Sequence, residues 1–270
     1  MIMKKKDRKG SVVYLSHGGG PLPILGDPGH RLMVKFMQQL PSQLSRPDAV
    51  IVVSAHWEEQ EATLIGHPSP PMLYDYYGFP PKAYEIDYPA PGHPQLAEKT
   101  RELLERAGLS ARINAHRGFD HGLFIPLKMM YPAADIPAIQ LSLVRGLDPD
   151  IHIRLGMALQ PLLEENILVI GSGFSFHNIR ALSWDGGQET DEKNDEFQDW
   201  LIQLCTSVYE EDVRNRYLRE WEAGPNARYC HPREEHLLPL HVCCGLTQSP
   251  AKLVFNDMVM GKRAVAFLWN

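Results

Sequence analysis

The chain reads as an α/β protein: a single three-layer α/β/α domain around a mixed, mostly buried sheet. Two observations predict this. Short, nearly continuous β-branched runs alternate with longer stretches of helical period, the pattern of strands covered on both faces by helices. No shift in composition, internal repeat or low-complexity tract marks a boundary within the 270 residues, a length that one large domain can fill. A hydrophobic fraction of 44% and a charged fraction of 22% are enough to build a core and give no sign of disorder.

In chain order, residues 1–10 form a basic tail (Lys4, Lys5, Lys6, Arg8, Lys9), expected to be mobile, and 11–270 the folded domain. Strands are expected at 11–16 (SVVYLS), 49–54 (AVIVVS), 137–143 (PAIQLSL), 167–170 (ILVI) and 263–269 (RAVAFLW). Helical period appears at 31–40, 94–107, 149–165 and 191–209, with Pro94 placed to open the second of these and Gly108 to close it. The stretch 66–92, rich in Pro, Tyr and Gly, has no period but is too aromatic for a linker. It is expected to be an ordered loop over the sheet edge, able to wall a pocket.

A formal charge of −6 argues against nucleic acid or an anionic membrane as partner, because both select clustered positive charge. No apolar run approaches the ~18 residues of a membrane span, and 11–15 is too short for a signal-peptide core. A cytoplasmic protein is therefore expected, and a homo-oligomer is compatible with the sequence. Cys205, Cys230, Cys243 and Cys244 lack zinc-ribbon spacing and read as packing residues.

The twelve histidines carry the functional signal, since imidazole is the commonest metal ligand and titrates near neutrality. His17 directly follows SVVYLS and His56 lies two residues after AVIVVS, both at the carboxyl ends of expected strands, where α/β folds place functional groups. Gly18, Gly19 and Gly20 allow the chain to turn sharply beside His17. His121 in RGFDHG precedes an apolar helical stretch, and His177 follows ILVI through a Gly-Ser-Gly turn. In PREEHLLPLH, Pro232 reads as the first residue of a helix. Glu235 and His236 would then point about 100° apart, so one of them is expected on a metal. Ser172 lacks the G-x-S-x-G elbow of a hydrolase, and HGGGP has neither phosphate-loop spacing.

Together SHGGGP, VVSAHW, YDYYGFP, YPAPG, GFDHG, IPAIQLSL, GSGFSFHN and EEHLLPL resemble, in order and interval, the protocatechuate 4,5-dioxygenase type of extradiol ring-cleavage enzyme, class III, and most closely its single-domain 4,5-DOPA dioxygenase branch. The resemblance implies a three-layer α/β/α fold and a non-haem Fe(II) site that cleaves a small, DOPA-like catechol with O2. It implies His17, His56 and His236 as metal ligands, with Glu235 beside them and His177 as a further candidate ligand when Zn(II) fills the site. His177 matches the acid/base histidine, and His121 a further active-site histidine. A histidine near pH 7 suits the proton transfers such a reaction needs. Tyr76, Tyr77 and Phe79 are candidates for an aromatic slot around a flat ring. Arg31, Lys128 and Arg145 are cations available for a substrate carboxylate, with surface placement as the bland reading. The sequence departs from the family's usual His-Gly-Ser-Pro or His-Gly-Ala-Pro: three glycines separate His17 from Pro21, which changes the adjoining loop.

Two other functions fit the same residues. Strand-end histidines with one carboxylate would also activate water on zinc, as in a zinc-dependent hydrolase. The fold could equally serve a non-enzymatic binding protein, since a fold does not fix a function.

Overall fold

The computed structural model describes residues 9–184 and 190–270. The basic residues 1–8 therefore lie outside the described part. Lys9 pairs with Glu164 at 3.1 Å, tying the start of the domain to its own surface.

The elements in chain order are β1 (Ser11–Ser16), α1 (Arg31–Gln39), β2 (Ala49–Glu59), β3 (Ala62–Ile65), α2 (Pro94–Arg106), β4 (Ala111–Asn114), α3 (His121–Met130) and β5 (Ala138–Val144). They continue with α4 (Pro149–Leu159), β6 (Ile167–Gly173), α5 (Glu192–Thr206), α6 (Glu211–Arg219), α7 (Ala227–Cys230), α8 (Leu238–Leu246), β7 (Lys252–Val259) and β8 (Lys262–Trp269). The strands form one mixed sheet in the order β4-β3-β5-β2-β6-β1-β8-β7. Its centre is parallel, β6 pairing with β1 on one side and β2 on the other, while β8 and β7 are added antiparallel. All six residues of β1 and all seven of β6 are buried, as strands covered on both faces require. Each fully buried Val, Leu or Ile there contributes roughly 1.5–3 kcal/mol.

The pleat of β6 explains both the layers and its Gly-Ser-Gly end. Ser172 faces α3, where its hydroxyl donates to the Gly122 carbonyl at 2.5 Å. Gly171 and Gly173 face the other way. A Cβ on Gly171 would come within 2.5 Å of Cys243 Sγ in α8, and one on Gly173 within 2.1 Å of the His236 carbonyl oxygen. Only glycine lets the second layer approach this closely.

The expected strands are all present, and β2 runs on to Glu59, so His56 belongs to the strand beside a register shift between Ser54 and Glu58. The expected helix over 149–165 stops at Leu159 and continues as a 3-10 turn, because Pro161 cannot extend it. The expected helix over 191–209 ends at Thr206. A helix opened by Pro232 does not form: residues around 235–237 are turns, and α8 starts at Leu238 with Pro239 in its first turn. The 66–92 loop is ordered, with a 3-10 turn at Pro81–Glu85 and tyrosine hydroxyls of Tyr74 and Tyr76 donating to the carbonyls of Ile86 and Ala83.

Candidate metal centre and its flanking histidines

Three imidazoles from distant segments meet at the carboxyl edge of the parallel strands. His17 Nε2 and His56 Nε2 are 2.9 Å apart, and His56 Nε2 and His236 Nε2 3.2 Å. His17 emerges from β1 with its amide donating to the Gly173 carbonyl, and His56 is carried by β2. His236 is fixed through its carbonyl, which accepts from Tyr14 Oη and from the Phe174 amide, both at 3.1 Å.

The partners of the Nδ1 atoms decide what those three Nε2 atoms present. Ser172 Oγ spends its proton on Gly122, so it accepts from His17 Nδ1–H at 3.0 Å. Glu235 Oε1 accepts from His236 Nδ1–H at 2.9 Å. Asp75 Oδ2 faces His56 Nδ1 at 3.8 Å. A proton on Nδ1 of His17 and of His236 leaves a lone pair on each Nε2, and His56 Nε2 between them adds a third when its Nδ1 proton faces Asp75. Three such lone pairs are repulsive unless a cation lies between them. Protonation would not relieve this, because all three imidazoles are held well below the ordinary histidine range. Burial is the largest cause for each. The next is His56 for His17, His121 for His56 and His177 for His236. The donor set fits a divalent transition metal: three neutral imidazoles, two of them oriented from behind by a hydrogen-bonded oxygen and the third facing a carboxylate at longer range.

Two further histidines flank this cluster. His177 stacks on His236 with ring centroids 3.3 Å apart, and its Nδ1 lies 2.9 Å from the same Glu235 Oε1. His121, the first residue of α3, has its centroid 3.8 Å from that of His56, and Asp75 Oδ1 accepts from its Nδ1 at 2.8 Å and its amide at 3.1 Å. Burial raises both carboxyls, but their histidine partners outweigh it and leave Asp75 and Glu235 below the usual carboxylate range. Asp120 caps α3 through the Gly122 amide and accepts from Ser54 Oγ at 2.8 Å, which fixes where His121 starts.

Tyr76 and Phe79 line one side, the Tyr76 ring 5.7 Å from His121 and 5.5 Å from Phe79. Tyr77 is not part of that wall: it is 91% exposed. Glu235, expected as an alternative to His236, stands behind His236 rather than among the three Nε2 atoms. Of the three cations considered for a substrate carboxylate, Arg31 and Arg145 are exposed and Lys128 donates to the Asp87 carbonyl.

The sequence profile of the family described as the catalytic LigB subunit of aromatic ring-opening dioxygenase matches residues 12–267. The chain belongs to this family. Among curated relatives, a dioxygenase of Hapsidospora irregularis named tasH is 37% identical over 96% of this chain and 85% of its own. The 4,5-DOPA dioxygenase extradiol of Beta vulgaris is 36% identical over 94% of both chains. That of Escherichia coli strain K12 is 33% identical over 92% of this chain and 90% of its own. A crystal structure of an uncharacterized protein from Escherichia coli K12 superposes with a TM-score of 0.81 at 28% identity, covering 97% of this chain and all of the other. The resemblance read from SAHW and GFDHG is thus a membership.

Several residues of this LigB-type site escaped sequence reasoning. Asp75 sits inside YDYYGFP, where the tyrosines drew attention and the carboxylate did not. Ser172 was weighed as a nucleophile, whereas it orients His17. Arg180 has no local signal, yet it lines an open cleft of about 490 Å³ together with His177, Ile179, Pro232 and Glu235.

Proposed function

We propose that this chain is a non-haem Fe(II)-dependent extradiol dioxygenase that opens the ring of a small catechol with O2, with His17, His56 and His236 as the metal ligands. The convergence of three Nε2 lone pairs, flanked by two more carboxylate-held histidines, carries the reading. When bound, Fe(II) supplies the redox centre that lets a catechol react with dioxygen, and Zn(II) is able to fill the same imidazoles in purified protein. The residues around it handle protons and pose.

His177 serves as the acid/base group. Its Nδ1 proton is engaged by Glu235, so its Nε2 is the atom able to take a catechol proton and return it during ring opening. Glu235 then stabilises the imidazolium. His121, fixed by Asp75, offers a second polar contact to substrate or oxygen, and Tyr76 and Phe79 pack on the flat ring. Arg180, which makes no ion pair among the described residues, is suited to an anionic side chain on the catechol, as in a DOPA-like substrate.

Anaerobic reconstitution with Fe(II), followed by air and a panel of catechols, tests this. Oxygen uptake with a yellow ring-fission product is expected, and Arg180→Ala should raise KM for carboxylated catechols but not for 4-methylcatechol. No turnover on any catechol would sink the reading, and hydrolysis supported by zinc without oxygen uptake would replace it.

A further inference from the structure

Behind the three glycines lies a histidine outside the cluster. His30 is fully buried at the end of the 3-10 turn Pro28–His30. Its Nδ1 is 2.7 Å from Asp27 Oδ1, which also accepts from the Gly29 amide at 3.0 Å. A carboxylate can only accept, so Nδ1 carries the proton and Nε2 a lone pair. That lone pair accepts from the Gly19 amide at 3.0 Å. Burial, the dominant influence, holds His30 below its ordinary range and keeps it neutral, as the acceptor role requires.

The loop it holds joins the proposed ligand His17 to the aromatic wall. Gly18 has φ +85° and lies so close that a Cβ there would fall 2.7 Å from the His30 ring. Gly20 has φ +56°, and a Cβ there would reach within 3.3 Å of Phe79 Cζ. From Phe79 the contact continues to Tyr76 and on to His121. Three successive glycines are the most flexible sequence available and lose the most entropy on ordering. Something must hold such a loop in one place.

We infer that His30, oriented by Asp27, is a positioning residue: it pins Gly19 and thereby sets the gap between His17 and the Phe79 wall that receives the aromatic ring. The inference rests on the dioxygenase reading only for the nature of that ring.

Two near-isosteres separate positioning from bulk structure. Gln places its amide oxygen where His Nε2 lies and can still accept from Gly19, whereas Asn reaches only the Nδ1 position and can satisfy only Asp27. Each loses one buried hydrogen bond, so their stabilities should fall alike. Two readouts need no turnover: exchange of the glycine-labelled Gly19 amide, and binding of 4-nitrocatechol to the Zn(II)-loaded protein. For His30→Gln, slow exchange and affinity within about threefold of wild type are expected. For His30→Asn, exchange about tenfold faster and affinity about tenfold weaker at unchanged zinc content are expected. Equal behaviour of the two variants in either readout overturns the proposal, as does failure of the wild type to bind 4-nitrocatechol. Should His30→Asn not fold, Asp27→Ala takes its place: faster Gly19 exchange supports the relay, and unchanged exchange refutes it. A catechol panel without turnover would defeat the dioxygenase reading and leave both readouts standing.

Discussion

The centre has two halves built on one plan with different joints. In each, a carboxylate holds one proposed ligand and one further histidine: Glu235 holds His236 and His177, and Asp75 holds His56 and His121. Glu235 uses a single oxygen at 2.9 Å for both rings. Asp75 grips His121 at 2.8 Å but stands 3.8 Å from His56. The difference follows from what carries each ligand. His56 lies in the irregular stretch of β2 between Ser54 and Glu58, which are both paired to β5, and its amide donates to Ser54 Oγ at 3.2 Å, whereas His236 lies in a turn. The paired residues that bracket His56 place it with little help from a carboxylate, whereas His236 in its turn depends on one.

The largest expected effect is on the two flanking histidines. His177→Ala should lower kcat by about 10²–10⁴ while metal content holds, and His121→Ala should lower it less. Loss of metal in His177→Ala would make that residue a ligand and break the symmetry. Next come the carboxylates. Glu235→Ala should weaken metal binding by about 10–100-fold in a chelator competition, and Asp75→Ala by less than about threefold while still slowing turnover. Equal losses would mean that the paired residues on either side of His56 do not hold it as described.

An acid titration gives the third contrast. His231 lies behind the Glu235 half with Nε2 donating to the Ser175 carbonyl at 2.9 Å, and burial pushes it down to about 3. An unfolded histidine titrates near ~6.5, so its contribution is unaffected above that pH. From there down to about 3 the unfolded chain binds a proton that the folded chain refuses. His231 should contribute about 1.4 kcal/mol of lost stability per pH unit across that window, added to the contributions of the other buried histidines. In denaturation midpoints measured at successive pH values, His231→Gln should lessen the slope of stability against pH by about that amount. The smallest effect belongs to Arg233, which pairs with Glu58 at 2.5 and 2.7 Å across a half-exposed surface and reaches Glu235 Oε2 only at 3.5 Å. Arg233→Ala should cost no more than about 1 kcal/mol and shift metal affinity by less than about threefold. A larger shift would extend the Glu235 half out to β2.

The parallel centre was legible because its strands are continuous apolar runs, and so were His17 and His56 at their ends. α8 was not, because all nine of its residues are buried and an all-apolar helix shows no amphipathic period. α3 was legible as the apolar helical stretch beside RGFDHG, although His121 opens it rather than precedes it, and β7 is an edge strand with half of its residues exposed that reads like a loop. Missing α8 led to the helix expected from Pro232, and so to the wrong picture of Glu235 and His236 as helical neighbours. The roles of Asp75, Ser172 and His30 depend on hydrogen bonds across many residues, for which local pattern has no signal.

The scattering of the three imidazoles also sets a clock. His56 and His236 are 180 residues apart in the chain. At roughly 5–20 residues per second of synthesis, the first two imidazoles leave the ribosome on the order of ten to forty seconds before the third. On the proposed ligand set, a nascent chain therefore has no complete chelate to offer until the segment that bears His236 docks on the sheet. Metal bound by that set would add its binding free energy to the folded state alone, so loading would report that the three segments have come together.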